Sequence, residues 1–233
     1  SWSTDFDLQE EFTQLAEELE PFGFGNISAD KDLQLKCCSG VINGEASPQS
    51  IMSLRGEDVR GKFERIKNGI KGSIDFLKKE LNVHSLKALP YPSMIVALTR
   101  FFASDNVNGR LYTDNQRKQL VKWFWKSNFS RRYTSGVTDK HKKDIIGMDE
   151  LIKNENYNLS DFECIIDENF YLRNKFSLNS INSKTFILQL ANNNPKSFIS
   201  GANVNLDKVL KNVSKNEFHH IFPKKFLERK SFA

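Results

Sequence analysis

Two of the four histidines are adjacent, in Asn216-Glu217-Phe218-His219-His220-Ile221-Phe222-Pro223-Lys224-Lys225-Phe226-Leu227. An imidazole titrates near neutral pH, so either ring could take a proton from water as a general base or, when neutral, ligate a metal ion. Neighbouring side chains in a regular strand point to opposite faces, so a strand that brings both rings to one site must end or distort at the pair. Pro223 agrees with such an ending. It has no N–H to give to a ladder, and it drives Phe222 into an extended conformation. A structural zinc site at this pair lacks any Cys or His partner at usable spacing.

Other reactive side chains offer less. Cys37, Cys38 and Cys164 are odd in number and the only close pair is adjacent, which argues against a disulfide framework or a Cys-x-x-Cys site. All three are expected to be small buried hydrophobes. His84 reads as an ordinary loop residue, and His141, beside Lys140, Lys142 and Lys143, reads as solvent-facing. Neither a Gly-x-Gly-x-x-Gly nor a phosphate-binding Gly-Lys-Ser/Thr motif occurs.

The net charge of +5 is unevenly spread. Residues 196–233 carry eight Lys/Arg against three Asp/Glu, and 110–143 carry ten against two, whereas 1–55 carry three against ten. Such polarity suits a polyanion on the basic side, although most charge runs are solvated faces. No apolar stretch approaches the roughly 18–20 residues that span a bilayer, and the first residues lack a basic segment followed by an apolar one. A cytoplasmic protein without a membrane partner is expected.

Periodicity places helices around these residues. Leu8, Phe12, Leu15, Ala16 and Leu19 recur at steps of three and four after Thr4-Asp5, until Pro21, Gly23 and Gly25 break the pattern. Asp30 to Val41 is a shorter helix. The strongest stripe, over 57–82, runs through Phe63, Ile66, Ile70, Ile74, Leu77 and Leu81, with Gly69 and Gly72 placed to admit a close neighbour. Apolar helix resumes over 93–103. Thr113-Asp114 caps a further helix whose Leu120-Val121-Lys122-Trp123-Phe124-Trp125 is apolar on many sides and is expected at the centre of the core. At its end, Arg131 and Arg132 are expected to serve the helix C-terminus and the buried rings rather than nucleic acid. More helix is expected at 141–154 and 183–192. From Asn192 the composition shifts to turn formers, which divides the chain into a helical domain, 1–195, and a second unit, 196–233.

The hexapeptide from Phe218 to Pro223 resembles the opening motif of HNH, or His-Me finger, nucleases. Arg117-Lys118-Gln119-Leu120-Val121-Lys122-Trp123-Phe124-Trp125 with Ser127, Phe129, Ser130, Arg132 and Tyr133 is similar to the helical middle of GmrSD-type restriction endonucleases. Phe198-Ile199-Ser200-Gly201 is similar to their run-in to the nuclease. The resemblance implies a mainly α fold, a multi-helix domain followed by the truncated start of a ββα-metal module. It also implies a bacterial, metal-dependent DNA endonuclease acting on foreign or modified DNA. His220 would be the general base, His219 a ligand of Mg²⁺ or Mn²⁺, and Lys224, Lys225 and Arg229 contacts to DNA. The family's nucleotide-dependent N-terminal domain has no counterpart here. The second strand and helix would follow Ala233, so this piece is expected to be inactive alone. The alternative is a non-catalytic interaction or assembly module with a degenerate nuclease motif.

Overall fold

A computed structural model describes residues 6–166, 169–172, 176–177, 179–206 and 208. Among them the chain is mainly helical and contains no strand, only an isolated bridge between Lys196 and Asn203. The eight α-helices are α1 (Leu8–Leu19), α2 (Lys31–Ile42), α3 (Pro48–Met52), α4 (Gly56–Leu81), α5 (Met94–Phe102), α6 (Asp114–Phe129), α7 (Val137–Lys153) and α8 (Ile181–Ala191).

Their starts follow local chemistry. The Asp7 carboxylate accepts from Gln9 N at 2.7 Å and Glu10 N at 3.3 Å to open α1. Asp30 accepts from Leu33 N at 3.0 Å to open α2. Thr113 and Gln116 exchange side-chain and backbone hydrogen bonds of 3.2 and 3.0 Å, a capping box that starts α6 as expected. α4 stops where Asn82 turns left-handed, at φ 52°.

The centre of the core is α5, not α6. Met94, Ile95, Val96, Ala97, Leu98, Phe101 and Phe102 are all buried, and α5 packs against α2, α4 and α7. Gly69 and Gly72 make the α4 contact possible: a Cβ at Gly69 would stand 2.5 Å from Thr99 O, and one at Gly72 2.8 Å from Phe102 Cβ. The two backbones therefore meet directly, which offsets the roughly 1 kcal/mol that each glycine costs a helix. α6 buries Leu120, Trp123 and Phe124 but packs on the flank with α8. Its excess apolar surface goes into a half-buried aromatic layer. Trp125 contacts Phe129 at 6.2 Å, Phe129 contacts Phe170 at 5.6 Å, and Tyr171 reaches Phe186 of α8 at 4.8 Å. Trp123, Phe124, Ile70 and Leu77 share one core, as their periodicity predicts. No helix of the described residues is long and apolar enough to cross a membrane.

Candidate functional site

His219, His220, Lys224, Lys225 and Arg229 lie outside the described residues, as does the whole run from Phe218 to Pro223. The same holds for the truncated ββα start, apart from its run-in. That run-in folds back on itself after α8. Asn192 Nδ2 donates to Leu81 O at 2.9 Å, which ties the end of α8 to the end of α4. Asn194 is left-handed, at φ 50°. Ser197 N donates to Ala202 O at 2.8 Å and Val204 N to Pro195 O at 2.9 Å, forming a tight loop that closes over Gly201, at φ 69°. Phe198 and Ile199 sit at its tip, each 99% exposed. Their exposure is not legible in the sequence, where two adjacent apolar side chains read as ordinary core residues.

A buried ion-pair site among the described residues joins the segment after α6 to α7. Arg132 faces the Asp144 carboxylate as a fork, with Nε to Oδ2 at 3.0 Å and Nη2 to Oδ1 at 2.8 Å. Tyr133 donates its hydroxyl to the same Oδ2 at 2.5 Å. The pair is buried, with 9% and 3% of the two side chains exposed. Phe162 covers the guanidinium, its ring centre 4.0 Å from Arg132 Cζ. His141 packs on Tyr133 at 4.9 Å between ring centres, and Tyr91 meets Tyr133 edge-on at 5.5 Å. The Tyr91 hydroxyl shares a hydrogen bond of 2.9 Å with Thr134 Oγ1.

Burial sets the protonation of this cluster. Desolvation, reinforced by the Asp144 charge, pushes the Tyr133 hydroxyl well above its ordinary range, so it stays a donor. Desolvation also pulls His141 down to about 4, with Lys36 and Arg132 adding to the shift and Asp32 opposing it. His141 is therefore neutral at pH 7. It is 1% exposed, which corrects its expected solvent-facing position. The lysines at 140, 142 and 143 take the outer faces of α7, while His141, Asp144, Ile145, Met148 and Leu151 form the inner stripe at steps of three and four. That spacing was the available signal. Arg132 has a structural role as expected, but through Asp144 of α7 rather than at the C-terminus of α6.

Part of the basic segment 110–143 is likewise tied to the fold, while Lys118, Lys122, Arg131 and Lys143 are exposed. Arg117 pairs with Glu80 at 3.4 Å, Lys142 with Glu45 at 2.8 Å, and Lys126 donates to the carbonyls of Ser160 and Phe162 at 2.9 and 2.5 Å. Cys37 and Cys38 are buried and their thiols are pushed up by desolvation, Cys38 to about 12, so neither is a ready nucleophile. Cys164 departs from the expectation in being half-exposed. No group of three or more His, Cys, Asp or Glu side chains among the described residues is placed to hold a metal ion.

No family model matches the sequence, and no solved structure matches it. An uncharacterized protein of Methanocaldococcus jannaschii is 28% identical over 148 residues, which are 62% of this chain and 23% of that protein. The chain thus corresponds to about a quarter of the relative's length.

Proposed function

We propose that the chain supplies the helical region and the first active-site strand of a metal-dependent DNA endonuclease of the GmrSD type, serving bacterial defence against foreign or modified DNA. The observation that carries it is Phe218-His219-His220-Ile221-Phe222-Pro223, a basic histidine motif placed directly after a helical domain. His220 would take the proton from the attacking water. His219 would contribute one nitrogen to the cation shell, with the remaining ligands drawn from other residues, water or the phosphate. A bound Mg²⁺ or Mn²⁺ would supply charge stabilisation at the scissile phosphate and its leaving oxygen. Lys224, Lys225 and Arg229 would hold the DNA backbone. Arg132 and Lys126 serve the fold, so any help from the 110–143 segment would come from its exposed Lys118, Lys122, Arg131 and Lys143.

The full gene product is expected to nick supercoiled DNA with Mg²⁺ or Mn²⁺. His220→Ala should abolish most cleavage while calorimetry still shows cation binding, and His219→Ala should weaken cation affinity. Full cleavage by the His220 variant, or no cleavage by the intact protein under any divalent cation, overturns the assignment. The latter result would leave an interaction module, which the exposed Phe198 and Ile199 favour.

A further inference from the structure

The dipeptide Asn-Gly occurs three times in the chain, as Asn43-Gly44, Asn68-Gly69 and Asn108-Gly109. The pair is chemically labile. The backbone nitrogen of the glycine can attack the side-chain carbonyl carbon of the asparagine, and with no Cβ beside it that nitrogen approaches without steric hindrance. One motif thus stands in three surroundings, and the fold decides which copy reacts.

Two of the copies are held. Asn68 and Gly69 lie inside α4, where the Gly69 N–H belongs to the helix ladder and Gly69 is buried against α5. The Asn68 amide is also engaged, its Nδ2 donating to Ser104 O at 3.1 Å and Asn106 O at 3.3 Å. Asn43 is exposed at the end of α2, yet its Nδ2 donates to Ser50 O at 2.9 Å and Ser50 Oγ at 3.0 Å, which fixes the carboxamide. Asn108 differs on both counts. It is exposed in the connection from α5 to α6, and its side chain makes no hydrogen bond among the described residues. Its own N–H donates to Asn106 Oδ1 at 3.0 Å, while Gly109 N donates to Asn106 O at 2.8 Å, with Gly109 left-handed at φ 73°. A single turn hydrogen bond therefore restrains the nucleophile. Such a bond in an exposed turn opens far more readily than a ladder bond within a packed helix.

We propose that Asn108 is a site of spontaneous covalent modification, deamidating through a cyclic imide with Gly109 while Asn43 and Asn68 stay intact in the folded protein. A bond forms between Gly109 N and Asn108 Cγ, the Cγ–Nδ2 bond breaks, and the side-chain nitrogen leaves as ammonia with the proton given up by Gly109 N. One water then opens the ring, at Cγ to give aspartate or at the backbone carbonyl carbon of residue 108 to give isoaspartate. Nothing is oxidised or reduced. Either product lowers the net charge of +5 by one, and isoaspartate also lengthens the backbone of the connection by one carbon. The site is independent of the histidine motif and of the nuclease assignment. Peptide mapping by mass spectrometry tests it on the full chain aged in mildly alkaline buffer, both folded and in urea. In urea all three asparagines should convert at comparable rates. In the folded chain Asn108 should convert at least about tenfold faster than Asn43 or Asn68. The Asn108→Gln variant should lose the acidic species that the aged parent shows on ion exchange. An intact Asn108 in the folded chain when the urea-treated chain has converted all three pairs would overturn the proposal. So would Asn43 or Asn68 keeping pace with Asn108 in the folded chain, or an acidic species that persists undiminished in Asn108→Gln.

Discussion

Arg132 and Arg110 come from the same basic stretch of sequence, yet the fold treats them in opposite ways. Arg132 is buried with its charge fully answered, by a two-pronged contact to Asp144, a ring face from Phe162 and a tyrosine that shares the carboxylate. Arg110 is half-buried beside two other arginines, with a single long bond to a carbonyl. A satisfied buried pair adds little net stability but becomes a liability when one partner is lost. A half-buried cation held by one weak contact differs, because little of its surroundings depends on it. The same residue type thus marks a structural joint in one place and a loosely held charge in the other.

The sharpest way to break that contrast is Arg132→Ala. It strands the Asp144 carboxylate, 3% exposed, and should destabilise the chain by about 3–5 kcal/mol in urea denaturation. A loss below about 1 kcal/mol, the surface-pair value, would mean that the joint contributes no more than an exposed ion pair.

His141 supplies a pH dependence of intermediate size. Its folded pKa, about 4, lies below the unfolded value of about 6.5, so the unfolded state binds the proton more readily. Its contribution is complete above about pH 6.5 and is lost as pH falls toward 4, by up to about 3 kcal/mol. His141→Phe should flatten that part of the stability profile, measured by denaturant midpoints from pH 7 to 4. An unchanged slope would show that other groups govern the acid limb.

Tyr133→Phe should have the smallest effect of the three. It removes one hydrogen bond from a carboxylate that keeps both contacts to Arg132, costing about 1 kcal/mol in the same titration. A loss as large as that of Arg132→Ala would place the weight of the joint on the hydroxyl rather than on the guanidinium.

The helices of 1–195 were legible because their signals are local. The stripe from Phe63 to Leu81 and the Thr113 cap each act within a turn or two, and each appears where the sequence predicts it. Gly69 and Gly72 also announced a close neighbour, though not that Thr99 and Phe102 would provide it. The histidine motif is a property of sequence alone. Its neighbours in space lie outside the described residues, so its chemistry rests on residue types and their order.

Which helix became the centre, and which charges became structural, was decided only in three dimensions. The apolar ring of α6 looked more central than α5, yet Phe129, beside Trp125, packs outward on Phe170 and Tyr171, while α5 is enclosed by α2, α4 and α7. His141 looked exposed because lysines flank it in sequence, but a helix separates sequence neighbours by about 100° and turns every third or fourth residue to the same side. Arg100 meets Asp149 across 49 positions, and Arg132 meets Asp144 across 12. Charge pairing depends on distance in space and on burial, which residue order does not encode locally. The amino-acid sequence therefore determined most of the helices and the histidine motif, whereas the tertiary packing decided that Arg132 would be held by a fork and Arg110 by a single contact.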